Sequence, residues 1–100
     1  MARVFVIQEV PGRNILSAEA YGRLEICLPY QQIVLSADSS VRILKEKLSS
    51  FTNKDYLLLT GDPVAIGIAT AIAARATGGI VNFLKWDRQE ARYYVVKATI

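Results

Sequence analysis

The chain has 100 residues, of which 52% are apolar and 21% charged, with a formal net charge of +3 and no histidine. This size and composition predict one α/β domain over residues 1–100 and exclude a disordered chain. The lack of histidine excludes Ser-His-Asp catalysis and histidine-ligated zinc, and the single cysteine, Cys27, excludes an internal disulfide.

The first half of the chain predicts several short elements. An apolar segment at 2–10 fits a central strand covered on both faces, and Pro11-Gly12 ends it. Residues 14–22 predict a short turn of helix that Asn14 caps and Gly22 ends. An alternating segment at 23–29 predicts a half-exposed strand containing a buried Cys27, and residues 31–36 are expected to pair back with it.

The segment DSSVRILKEKLSSF predicts an amphipathic helix over residues 38–51. Asp38 or Ser39 is expected to accept hydrogen bonds from the free amides of the first turn. Apolar residues then recur at helical spacing, including Leu44 and Leu48, while the charged residues between them face water.

The second half predicts a strand–helix–strand crossover over residues 55–86. Asp62 is a good N-cap, Pro63 fits the first helical position, and Gly78-Gly79 ends the helix. Such a unit is right-handed and makes its two strands parallel. The short connection to 92–100 then predicts an antiparallel hairpin. The expected fold is a mixed sheet of about five strands with two main helices and a C-terminal β-hairpin.

Two features raise the question of a small-ligand site. Thr60-Gly61-Asp62 precedes a helix N-terminus, but the acidic cap would repel a phosphate and no phosphate-loop motif is present. Glu9, Asp62 and Asp87 each follow a predicted strand, where a divalent cation would find oxygen ligands. The competing interpretation is that these acids are a cap and solvated loop residues, with no cofactor and no resident metal.

The C-terminal hairpin combines aromatic and basic side chains. Stacking of bases beside phosphate-binding cations is one interpretation, and cross-strand packing within the hairpin is the other. The candidate residues for a nucleic-acid or partner surface are Lys85, Trp86, Arg88, Arg92, Tyr93 and Tyr94.

The helix that follows Asp62 has almost no polar face, so a chain of this length covers it poorly. We expect homo-oligomerisation in which the small residues Gly67, Ala71 and Ala74 meet their symmetry mates. Burial of this helix under its own sheet and first helix is the alternative.

The stretches "LLLTGDPVAIGIATAIAA" and "VNFLKWDRQEARYYVV" resemble short uncharacterised proteins encoded by tailed bacteriophages. This resemblance, over the second half of the chain, carries no activity. It implies expression in an infected bacterial cell and a small accessory role.

The leading hypothesis is therefore a non-catalytic accessory protein that binds another macromolecule, either a host or a phage protein, and self-associates. The alternatives are a small metal- or nucleotide-dependent enzyme that uses the acids at the strand ends, and a nucleic-acid-binding module. No signal peptide is evident, and the apolar segment 63–74 is too short to cross a bilayer, so we expect a cytoplasmic protein without membrane association.

Overall fold

The computed structural model describes residues 2–100 and contains a five-stranded mixed sheet with helical segments on both faces. The elements in chain order are β1 Arg3–Gln8, a 3₁₀ helix Leu16–Tyr21, β2 Arg23–Leu28, α1 Asp38–Lys47, β3 Tyr56–Leu58, α2 Pro63–Thr77, β4 Ile80–Asp87 and β5 Arg92–Thr99.

The strand order is β2-β1-β3-β4-β5. The first four strands are parallel and β5 runs antiparallel to β4, which confirms the predicted crossover and the C-terminal hairpin. β1 lies between β2 and β3, so Val4 is opposite Leu24 on one side and Tyr56 on the other. The direction of connection reverses at β1, which makes its carboxyl end the topological switch point of the sheet.

β1 is covered on both faces, as its apolar sequence predicts. Phe5 and Ile7 pack in the layer that contains α1 and α2, while Val4 and Val6 pack with Ala18 of the 3₁₀ helix. Alternate side chains of a strand point to opposite faces, so one short strand anchors both layers.

α2 approaches the sheet through small side chains. Ala65, Ala69 and Ala73 are fully buried and lie at a spacing of four, which places them on one face of the helix. α1 packs on the same side of the sheet through Leu44 and Leu48. On this side, the helices therefore meet the sheet through one alanine face and one leucine pair.

The ends of α2 follow the local sequence. The Asp62 carboxylate accepts a hydrogen bond from Val64 N at 2.8 Å, Pro63 occupies the first turn, and Gly78 ends the helix with a φ of +69°. The predicted capping of α1 is wrong. Ala37 holds the N-cap position without a side-chain cap, and the Ser36 hydroxyl accepts from Asp38 N at 3.3 Å instead.

Residues 31–36 do not form the predicted strand. Gln31 O accepts a hydrogen bond from the Gln8 side chain at 2.6 Å, and Ile33 N donates to Asp62 Oδ2 at 3.2 Å. Leu35 has a φ of +66°, a left-handed conformation that no extended strand contains. The segment is a loop because its polar backbone is bound to β1 and to the start of α2.

A buried carboxylate, that of Asp55, fixes the amino ends of β1 and β3. Asp55 is 2% exposed, and it accepts hydrogen bonds from Arg3 N at 3.0 Å, Arg3 Nη2 at 2.9 Å and Thr52 N at 2.9 Å. Burial raises the pKa of Asp55, but the hydrogen bonds from Arg3 and Thr52 and the charge of Arg3 outweigh it and hold the pKa below its ordinary 3.8.

We expect Asp55→Asn to lower the free energy of unfolding by about 3 kcal/mol at pH 7, because it leaves the Arg3 guanidinium without its buried partner. A carboxylate whose folded-state pKa is lowered stabilises the fold above its unfolded value and loses that contribution as pH falls through the folded value. Wild-type stability should therefore decline below pH 3.8, and that component should be missing in the variant. Urea unfolding at several pH values measures both effects.

Glu25→Gln is the matched control, since Glu25 pairs with Arg23 at 2.9 Å on an exposed part of the sheet edge. Exposed pairs contribute about 0–1 kcal/mol, so this variant should stay close to the wild type. Equal losses in the two variants at pH 7 would contradict the role assigned to Asp55.

Candidate functional site

The switch point at the carboxyl end of β1 is filled by the Gln8 side chain. Gln8 is 2% exposed, and its amide nitrogen donates to Pro29 O at 3.1 Å and to Gln31 O at 2.6 Å. Its amide oxygen accepts from Asp62 N at 2.7 Å. One side chain thus ties β1 to the loop after β2 and to the start of α2.

The chain closes tightly around this amide. A Cβ at Gly61 would lie 2.4 Å from Gln8 Cβ, and Gly61 has a φ of +112°, so only glycine fits there. The Thr60 hydroxyl donates to Gln8 O at 2.8 Å inside the core. The position where open α/β sheets commonly hold a ligand is here occupied by the protein's own polar groups.

The α2 N-terminus is likewise used by the chain itself. One Asp62 oxygen caps Val64 N, and the other accepts from Ile33 N at 3.2 Å. The Thr60-Gly61-Asp62 segment is therefore a capped helix start whose free amides and dipole face a carboxylate, which is the environment that repels phosphate.

The structure does not gather the three acids considered for a metal. Glu9 is exposed, Asp62 caps α2, and Asp87 accepts hydrogen bonds from Gln89 N at 3.0 Å and Glu90 N at 3.3 Å in the hairpin loop. Across residues 2–100, no group of three or more aspartate, glutamate, cysteine or histidine residues is placed to hold a metal ion. Asp62 instead stabilises the start of a helix, and Asp87 stabilises a hairpin turn.

The aromatic and basic residues of the hairpin divide between the two faces of the sheet. Trp86 lies opposite Tyr93 and both belong to the cluster on the 3₁₀-helix side, whereas Lys85 lies opposite Tyr94. Opposite residues of an antiparallel pair share a face, so Lys85, Tyr94 and Arg92 lie on the other side. The predicted six-residue surface is therefore not one continuous platform.

A cleft of about 430 Å³ lies where the carboxyl edge of the sheet meets this hairpin. One wall is the Pro11-Gly12 turn, closed by a hydrogen bond from Arg13 N to Val10 O at 3.2 Å, with Gly12 at a φ of +80°. The cleft, termed here the Trp86 cleft, is lined by Val10, Pro11, Gly12, Arg13, Asn14, Trp86 and Arg88. Sequence reasoning included Trp86 and Arg88 in its hairpin surface but missed Arg13.

Tyr93 links the two walls of the Trp86 cleft, which are the Pro11-Gly12 turn and the C-terminal hairpin. Its hydroxyl donates to Asn14 O at 3.0 Å, its main-chain oxygen accepts from the Tyr21 hydroxyl at 3.0 Å, and its ring meets Trp86 edge-on with centroids 4.9 Å apart. Burial raises the pKa of Tyr93, while the charge of Arg13 acts in the opposite direction. Tyr93 is thus a structural residue rather than an exposed stacking surface.

The residues considered for self-association lie along the outer side of α2. Gly67 and Ala71 are exposed, while Ala74 is half-buried against the core. A Cβ at Gly67 would meet no atom within 4 Å, so this position is open to solvent. Gly67 and Ala71 are therefore accessible on the outer side of α2, and Ala74 is accessible only in part.

The family model that describes the phage Pam3 gp32-like protein matches residues 2–100. The chain belongs to this family. The phage resemblance is thereby confirmed, and it extends over residues 2–100 rather than over the second half alone. No curated protein and no solved structure matches the chain significantly. Within residues 2–100 of this phage protein, no helix has both the length and the apolar character needed to cross a membrane.

We expect Asp62→Ala to destabilise the protein by at least about 1 kcal/mol, because it removes the α2 cap and the acceptor for Ile33 N. Asp87→Ala is the control, since its carboxylate bonds only amides of an exposed turn. Thermal or urea unfolding compares the two. A loss at Asp87 that matches or exceeds the loss at Asp62 would contradict this assignment.

Divalent cations should not stabilise the fold. A ligand that binds only the folded state raises the melting temperature when it is in large excess over its dissociation constant. Because Asp62 caps α2 and binds Ile33 N, and Asp87 binds amides of its own turn, we expect no saturable shift during titration with Mg²⁺ or Mn²⁺. A saturable rise that Glu9→Gln or Asp87→Asn abolishes would favour the metal-dependent alternative.

Proposed function

We propose that this phage protein is a non-catalytic accessory protein that acts by binding protein, and that it self-associates through the outer edge of β5. The observation that carries the proposal is the apolar character of this edge strand. Tyr94, Val95 and Val96 are 37%, 42% and 41% exposed, and Ile100 just beyond the strand is 71% exposed. An exposed apolar surface of this kind is suited to binding a phage or host protein.

β5 ends the sheet, so one of its edges has no neighbouring strand within the part of the chain that the structure describes. The main-chain donors and acceptors on such an edge are satisfied by water or by another strand. β2, at the opposite edge, carries the charged pair Arg23 and Glu25. Charge of this kind discourages edge pairing, and the central part of β5 lacks it.

A second copy of β5 is the occupant that we propose. Two-fold antiparallel pairing centred on Val95 would place Tyr94 opposite Val96 and Tyr93 opposite Lys97. In this register the positive charges of Arg92 and Lys97 do not face each other, because Arg92 lies opposite Ala98. The interface is isologous and closes at two subunits, which avoids an open fibre.

The outer side of α2 is the second surface of the proposed assembly. Gly67 and Ala71 are exposed, and with the half-buried Ala74 they permit close approach of another helix. A small-residue face is weaker support than the β5 edge, since it lacks unpaired main-chain groups. We therefore assign the outer side of α2 either to a further contact between subunits or to the binding of the protein partner.

Three carboxylates have structural roles and the single thiol is buried, which favours binding over catalysis. Asp62 caps α2 and binds the loop before α1, Asp87 bonds to its own turn, and Asp55 is paired with Arg3. Burial raises the pKa of the Cys27 thiol to about 12, with Lys47 acting in the opposite direction, so the nucleophilic thiolate is not formed near neutral pH.

Light scattering on the purified protein should give a mass above that of the monomer at high micromolar concentration. Val95→Lys should lower that mass to the monomer, because it sets two lysines against each other at the two-fold axis and like charges directly opposite are unfavourable. Circular dichroism should stay unchanged, since Val95 is 42% exposed.

Val34→Lys is the matched control, as Val34 is 63% exposed in the loop that follows β2, the strand at the opposite edge of the sheet from β5. Ala71→Glu tests the α2 surface separately. A wild-type protein that is monomeric at high micromolar concentration would contradict self-association, and an assembly that Ala71→Glu alone dissociates would move the interface from β5 to α2.

A further inference from the structure

We propose that the Trp86 cleft binds a nucleotide, with the base stacked on Trp86 and the phosphate held between Arg13 and Arg88. This site goes beyond the proposed function. It lies on β4 and the loop after β1, away from the outer edge of β5, so the two proposals fail independently.

The aromatic surface of the cleft is held in a fixed orientation. Tyr93 meets Trp86 edge-on, and its hydroxyl bond to Asn14 O links the hairpin to the Pro11-Gly12 wall. Trp86 itself is only half-buried and lines the open volume, so part of its ring remains available. A preorganised, partly exposed tryptophan stacks on a base with little loss of conformational entropy.

Two positive charges line the same volume without carboxylate partners. The ion pairs within residues 2–100 are Arg3–Asp55 and Arg23–Glu25, which leaves Arg13 and Arg88 unpaired. The guanidinium group binds phosphate through parallel hydrogen bonds, and it also stacks on planar rings. A ring beside two free guanidinium groups therefore matches a ligand that is aromatic at one end and anionic at the other.

The position in the fold supports the same ligand. The cleft adjoins a second groove of about 280 Å³ over the switch point, and Val10 and Arg13 line both. Asp62 lies in that second groove, where its charge disfavours phosphate. The phosphate is thereby directed to the Arg13 and Arg88 end, which adjoins the switch point but is not lined by the Gln8 side chain that fills it.

Trp86 is the only tryptophan of the chain, so its fluorescence reports on this cleft alone. The probes are ADP, UDP, a short single-stranded oligothymidylate and polyglutamate. We expect saturable quenching by a nucleotide or by the oligonucleotide, weakened by added salt. Quenching by the nucleotides identifies a free nucleotide as the ligand, and quenching by the oligonucleotide alone identifies a nucleotide unit within a single strand.

Arg13→Ala and Arg88→Ala should each weaken binding about tenfold, since each removes a charged hydrogen-bond donor to the phosphate. Arg42→Ala, an exposed arginine on α1, is the matched control and should leave binding unchanged. Absence of quenching at millimolar probe, equal quenching by polyglutamate, or equal effects of the three arginine variants would each overturn the proposal.

Discussion

The buried amide of Gln8 holds together the three segments that meet at the carboxyl end of the central strand. It donates to two carbonyl groups of the loop after β2 and accepts from the amide of Asp62. All of its bonds are to main-chain groups, so they fix backbone positions rather than side chains. An unsatisfied buried amide costs about 1–3 kcal/mol, and the loop, the Gly61 turn and the start of α2 are positioned so that this cost does not arise.

The amino end of β1 is fixed by a different chemistry. There the Asp55 carboxylate accepts hydrogen bonds from the Arg3 guanidinium and from main-chain amides of β1 and of the turn before β3. Apolar side chains occupy the positions between Arg3 and Gln8 and face both layers. A strand buried on two faces has little in its apolar pattern to define register, because even a shift by one residue, which exchanges the two faces, keeps apolar groups inside. The polar groups at the two ends of β1, Asp55 with Arg3 and Gln8, define its register instead.

Local signals in the sequence were sufficient to predict α2 and the C-terminal hairpin. The Asp62-Pro63 start and the Gly78-Gly79 end act within a few residues, and both were predicted correctly. The loop at 31–36 was not predictable in this way, since its partners Gln8 and Asp62 are 23 and 29 residues away along the chain. The Trp86 cleft was missed for the same reason, because Arg13 reaches it only after β1 and β4 join one sheet.

The place of β1 in the strand order also has a consequence for biosynthesis. β1 pairs with β2 from Arg23 onward and with β3 from Tyr56 onward. The pairing of β4 with β5, by contrast, joins residues that are close in sequence. Contacts between distant residues carry a larger loop-closure cost and slow the folding of a chain. A ribosome must deliver the chain as far as Leu58 before β1 has both neighbours. During translation, the most buried strand of the finished protein is therefore exposed for the longest time.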